Sequence, residues 1–385
     1  MTKIYLVATE PSGDALAADV IDAIQEKHEN LEFVGVGGAL MKSRGITSPF
    51  DISDLSILGL IEGIKAYSLV KERVEQTARD IVRQSPDAVV LIDSWGFMWR
   101  VAQRMKELGS SAARIKLVGP QVWATRPGRA KTLAEHVDHL LCIHAFEQPF
   151  YEPYGLPTTV IGNPAVSRVS AGDASGFRKR HSIKDNEQLL LLLPGSRASE
   201  IKRVLPTLEK AAGLVCNDHD NVKVVCVAAP SVLEDVKKRS LDWRFPYILN
   251  SDPSEKDDAF AAADVGLACS GTVTTEVALQ GTPLVVGYKL GWITWAIARG
   301  FLMKSKYISL LNIAAGEEVM PEYVQTRFTA GKLAQNISEL LTNDKMRLDQ
   351  VECQEAALDK MGRGQASAAN IAADTIIELA SKNRI

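Results

Sequence analysis

Short apolar runs recur along the chain, separated by stretches in which apolar positions return every third or fourth residue. The runs predict strands at 3–9, 31–37, 88–93, 115–120, 139–145 and 158–162, then at 189–194, 222–228, 247–250, 265–269 and 283–288. The helical spacing between them predicts helices such as 15–28, 69–84 and 202–215, and a last one at 366–379 after the Gly362-Arg363-Gly364 break. Such alternation implies an α/β fold, with parallel sheets carrying helices on both faces. The small, polar stretch 163–173 is the best linker, so the expected domains are 1–165, 166–350 and a helical segment 351–385 packing back across them. The two halves show no residue-level repeat.

Two strand ends carry candidate chemistry. The run Leu191-Leu192-Leu193 stops at Pro194-Gly195 and exposes Ser196 and Arg197 before a helical pattern from 200 to 215. Open α/β sheets bind ligands at the carboxyl ends of their strands, and a guanidinium there suits phosphate. An ordinary strand-to-helix turn with a surface arginine is the alternative. At the second end, Ser270-Gly271-Thr272 follows the strand 265–269 and opens a helix, offering N–H groups and hydroxyls to an anion. Glu276 lies one turn further in, where a carboxylate repels phosphate but suits a ribose diol. Together they point to a nucleoside diphosphate. The competing reading makes Ser270 and Thr272 helix caps and Glu276 a surface charge.

Composition narrows the class. At 385 residues the chain exceeds one ordinary core, and 46% hydrophobic with 24% charged residues is a soluble, globular profile. A net charge of −3 argues against a general nucleic-acid binder. The scattered Cys142, Cys216, Cys226, Cys269 and Cys353 read as thiols in a reducing compartment. The first residues enter a strand at once, unlike a signal peptide, and no run of about 20 apolar residues could span a bilayer. Asp218-His219-Asp220 precedes a strand at its amino end and reads as a solvated turn rather than a metal site. The loop after the first strand carries neither a dinucleotide fingerprint nor a P-loop. No metal and no cofactor are expected.

Motifs in order along the chain resemble one family, the lipid-A-disaccharide synthases of the GT-B type. They are Thr9-Glu10-Pro11-Ser12-Gly13-Asp14, Phe33-Val34-Gly35-Val36-Gly37-Gly38, Leu58-Gly59-Leu60-Ile61-Glu62, Ile92-Asp93, Val122-Trp123-Ala124 and Phe146-Glu147. Leu193 to Arg197 with Glu200, Ser270-Gly271-Thr272 with Glu276, Tyr307-Ile308-Ser309-Leu310-Leu311-Asn312 and Pro321-Glu322-Tyr323-Val324-Gln325 complete the series. No single block is specific; their order and spacing are. The departures lie before residue 165. Trp95-Gly96-Phe97-Met98 replaces the family's Pro-Asp-Phe-Asn, Gly119 and Gln121 replace two serines, Thr125 replaces a tryptophan, and Asn163 replaces a histidine.

The resemblance implies two Rossmann-like domains with a cleft between them, and an inverting transfer. UDP-2,3-diacylglucosamine would donate its sugar to the 6-hydroxyl of 2,3-diacylglucosamine 1-phosphate, giving a β-1′,6-linked disaccharide 1-phosphate and UDP. Asp93, at the end of an apolar strand, is the candidate base, with a helix cap as its alternative role. On the donor side the resemblance implies Ser196, Arg197, Ser270, Gly271, Thr272, Glu276, Asn312 and Gln325; on the acceptor side, Glu10, Ser12, Gly13 and Trp123. Diacylated substrates imply a cytoplasmic protein attached peripherally to the inner face of the inner membrane. The stretches 55–64 and 291–306 mix apolar residues with flanking Lys and Arg, which fits a bilayer interface; core packing or a subunit interface is the alternative for both, a homodimer contact in particular for the second. Another UDP-N-acetylglucosamine-dependent GT-B enzyme, an epimerase, and a non-catalytic nucleotide-sugar binder stay open as alternatives.

Overall fold

The computed structural model describes residues 1–56, 63–168, 170–291, 295 and 305–383. Two compact units form: Met1–Pro164 with Gly364–Ile385, and Ala165–Arg363. The expected third segment, 351–385, therefore divides at Gly364. Helix Asp344–Lys360 belongs to the second unit. Helix Ala368–Lys382, capped by Ser367, packs on the first unit's sheet and buries Ala372, Ala373 and Ile376 there. Its alanine-rich face lets the backbone come close.

In the first unit, β1 (Thr2–Val7), β2 (Leu31–Val36), β3 (Ala88–Ile92), β4 (Ala113–Leu117), β5 (His139–Cys142) and β6 (Thr158–Val160) form a parallel sheet in the order β2-β1-β3-β4-β5-β6. In the second, β7 (Gln188–Leu193), β8 (Val222–Val227), β9 (Tyr247–Asn250), β10 (Val265–Cys269), β11 (Leu284–Tyr288) and β12 (Glu322–Val324) are parallel in the order β12-β11-β10-β7-β8-β9. The central strands are apolar on both faces because helices cover both. Each sheet reverses its order beside its first strand, between β1 and β3 and between β7 and β10. Ligands settle at such switch points.

The strand β12 was not expected, since its three residues carry no run of apolar positions. The expected helix over 200–215 is two helices, Ala198–Arg203 and Leu205–Asp218. Pro206 cannot donate a backbone hydrogen bond, so the chain re-enters a helix there with proline in its first turn. Among the described residues, no helix is long and apolar enough to cross a membrane.

Candidate active site

A cavity of about 380 Å³ opens at the carboxyl ends of β7, β8 and β10, at the second unit's switch point. That volume lies within the roughly 300–1,000 Å³ of small-molecule sites. Ser196, Arg197, Ser270, Gly271, Thr272 and Glu276 all line it.

The loop after β7 is held by Glu200. Its carboxylate accepts from the N–H groups of Ser196 (2.9 Å) and Arg197 (3.3 Å), and one oxygen lies 3.6 Å from the Arg197 guanidinium. Gly195 adopts φ +104°, and a Cβ there would meet Glu200 Oε2 at 2.5 Å, so glycine is required. Ser231 Oγ donates to the Ser196 carbonyl at 2.8 Å and ties the loop after β8 to the same edge. The Arg197 side chain itself stays 76% exposed, ready for an anion.

Lys256 was missed by sequence reasoning. Its Nζ lies 2.6 Å from Glu276 Oε2 and holds that carboxylate at the rim. The loops 227–230 and 251–253 were missed too, and supply a wall of Val227, Ala228, Ala229, Pro230 and Pro253. Their signal was weak: each follows an expected strand, but sheet order alone puts β8 beside β7.

Two expected donor-side residues, Asn312 and Gln325, do not line this cavity. Asn312 is fully buried: its amide nitrogen donates to Met320 O (2.8 Å) and Glu322 (2.9 Å), and its oxygen accepts from the N–H groups of Val319 (2.9 Å) and Met320 (3.0 Å). Glu322 also accepts from Ile308 N (2.9 Å), Ser309 N (2.7 Å) and the Ser309 hydroxyl. Gln325 clamps Leu290, accepting from its N–H at 2.8 Å and donating to its carbonyl at 3.3 Å. Asn312 thus spends all four of its hydrogen bonds inside the protein, and Gln325 two of its four, so both brace loops.

In the first unit, a cavity of about 310 Å³ is lined by Thr9, Glu10, Leu55, Tyr67, Val70, Ser94, Gly96, Phe97 and Arg100. Glu10 and Ser12 are exposed at the start of helix Pro11–Lys27, and Gly13 is buried against Ala8 and Ile92. Asp14 anchors the neighbouring loop, accepting from Gly38 N and Leu40 N at 2.8 Å each and Met41 N at 3.2 Å. Asp93 directly follows β3, half-buried, with φ +50°; Ser94 follows at φ +32°. Trp123 packs edge-on against Phe146, 5.4 Å between ring centres, and does not line this cavity. One departure has a steric reason: a Cβ at Gly119 would reach within 2.8 Å of the Tyr151 hydroxyl, which donates to Pro120 O.

Among the described residues, no cluster of three or more His, Cys, Asp or Glu could hold a metal ion. Asp218 ends a helix and His219 caps it, so the Asp-His-Asp run sits at a helix end, away from the β7–β10 edge. The cysteines are unpaired, and burial pushes the thiols of Cys142, Cys216, Cys226 and Cys269 up. The stretches 57–62 and 296–304, with residues 292–294, lie outside the described residues, so the apolar segments read there have no structural account.

The chain is similar to solved structures of the GT-B type. UDP-GlcNAc 2-epimerase from Neisseria meningitidis bound to UDP-GlcNAc matches with a TM-score of 0.61, at 11% identity, over 98% of this chain and 100% of that one. Trehalose-6-phosphate from E. coli bound with UDP-2-fluoro glucose matches with a TM-score of 0.61 at 11% identity, over 98% of this chain and 99% of that one. These likenesses show the fold. Sequence relatives go further. Lipid-A-disaccharide synthase from Paramagnetospirillum magneticum is 39% identical over 97% of both chains, and that from Rhodospirillum centenum is 36% identical over 99% of this chain and 96% of its own. A family model described as lipid-A-disaccharide synthetase matches residues 4–376, from within the first strand into the helix that returns to the first sheet. With GT-B sheets, a switch-point cavity and relatives matched end to end, the chain belongs to the lipid-A-disaccharide synthetase family.

Proposed function

We propose that this protein is an inverting glycosyltransferase of lipid A biosynthesis, joining UDP-2,3-diacylglucosamine and 2,3-diacylglucosamine 1-phosphate into the β-1′,6-linked disaccharide 1-phosphate with release of UDP. The observation that carries this reading is the second unit's cavity, where six donor-side residues expected from the family motifs meet. Arg197 and the 270–272 turn take the diphosphate, Glu276 takes the ribose hydroxyls with Lys256 fixing it, and the wall from Val227 to Pro230 takes the flat base.

In the transfer, the acceptor's 6-hydroxyl oxygen attacks the anomeric carbon from the face opposite the diphosphate. The bond from that carbon to the diphosphate oxygen breaks, and the configuration inverts. Asp93 accepts the hydroxyl proton, an aid worth about 10²–10⁴-fold. Arg197 and the backbone amides meet the charge that grows on the leaving diphosphate. The first unit's cavity takes the acceptor, with Glu10 at its polar side and Leu55, Val70 and Phe97 at its apolar side.

Its substrates live in a bilayer, so we place the protein peripherally at the inner face of the inner membrane. The Lys- and Arg-edged apolar stretches of the sequence support this, as does Tyr67, 49% exposed, with Lys71 Nζ 4.9 Å from its ring centre. A homodimer through the second unit is the other use proposed for 291–306.

Purified protein given both diacylated substrates should release UDP and disaccharide 1-phosphate in equal amounts. UDP-N-acetylglucosamine without lipid should give neither UDP nor an epimer. Turnover of that soluble nucleotide sugar alone would sink the proposal.

A further inference from the structure

Among the described residues, Lys116 is the most enclosed charge in the first unit, 1% exposed and next to last in β4. Strand register sets it beside Leu91 of β3 and Leu140 of β5, on an apolar face of the sheet. A buried ammonium there costs stability that an apolar side chain of similar volume would not. Its Nζ donates to three backbone carbonyls: Leu91 (3.1 Å), Asp93 (2.5 Å) and Leu117 (3.2 Å). Three donors meet three acceptors, so the group is saturated.

Two of these carbonyls sit at a strained edge: Asp93 is itself left-handed, and Leu117 directly precedes Val118. Asp93, Ser94 and Val118 have φ of +50°, +32° and +66°. Left-handed backbone is uncommon without glycine and is an outlier for a β-branched residue such as valine. Strain of this kind persists only where the surroundings over-determine it, and it gathers at functional sites. The charged groups that face Lys116 are Asp93, after β3, and Glu10, after β1; burial pushes the lysine down to about 7 while these two carboxylates pull it up.

We propose that Lys116 is a positioning residue for the transfer: its ammonium pins the left-handed turn at Asp93 through the backbone carbonyl and so fixes where that side chain leaves the chain. This rests on Asp93 being the base. Lys116 does not touch substrate; it acts through Asp93.

The test is Lys116→Met in the full-length protein. UDP affinity and both KM values should stay within about threefold of wild type, while kcat falls at least tenfold. In the Asp93→Asn background, Lys116→Met should cost nothing further; a packing role alone would cost the same in both backgrounds. Should the methionine variant fail to fold, Lys116→Gln, which keeps donors and drops the charge, gives the same readings. If Asp93→Asn cripples turnover while the lysine variant leaves kcat unchanged, this inference falls and the base assignment stands. If Asp93→Asn itself turns over normally, the base assignment falls first, and this inference with it.

Discussion

The carboxyl edges of the two sheets solve different problems. Around β7, β8 and β10 the turn conformation that needs a positive φ is supplied by Gly195, and the lining hydroxyls and guanidinium stay open to a ligand. Around β3 and β4 the turns are forced onto Asp93, Ser94 and Val118, and a buried ammonium is sunk beneath them. Three such residues represent about 1–3 kcal/mol of strain each. The first edge is relaxed and leaves polar groups unspent; the second holds strained backbone over a buried ammonium. The proposed roles, binding at the first edge and chemistry at the second, rest on that contrast.

The contrast is broken most forcefully at Asp93. Asp93→Asn should lower turnover at least about 10²-fold, the low end for losing a general base, with the fold intact by circular dichroism. Near-normal turnover would make the strained edge merely structural. Next in size is the binding edge. Arg197→Ala should weaken UDP binding by about 1.5–3 kcal/mol, the range for hydrogen bonds to charged groups; an isotherm like that of wild type would remove the guanidinium from the site.

A third test separates binding from bracing. Asn312→Ala should lower stability by about 1–3 kcal/mol, since it strands buried partners, and leave UDP affinity of the folded protein alone. Denaturant unfolding with and without UDP reads both. The smallest effect sharpens the assignment of halves: Gln121→Ala, an exposed first-unit position, should leave UDP affinity within about twofold, well under the 1.4 kcal/mol of a tenfold change. Loss of UDP binding in that variant would move the donor site to the wrong unit.

Most of the fold was legible because buried parallel strands leave apolar runs that local sequence cannot hide. The strands 247–250 and 265–269 end where the sequence placed them. The short edge strand Glu322–Val324 was not legible, because its acid is buried to accept hydrogen bonds from Ser309 and Asn312 rather than to line a surface. The candidate cavity's lining was legible where chemistry and exposure coincide, at Arg197 and 270–272. Asn312 and Gln325 look like ligand groups in sequence, but their amides bond within the protein, to backbone and to Glu322. Lys256 and Lys116 were invisible for the opposite reason. Each acquires its meaning only from a partner distant in sequence, Glu276 for one and the Asp93 turn for the other.

The most direct test of the division of labour is UDP calorimetry on Arg197→Ala and Asp93→Asn side by side. We predict that the arginine variant binds UDP roughly 10- to 150-fold more weakly, the free-energy range above converted to affinity, while the aspartate variant binds as wild type does. Unchanged binding in Arg197→Ala together with lost binding in Asp93→Asn would contradict the account.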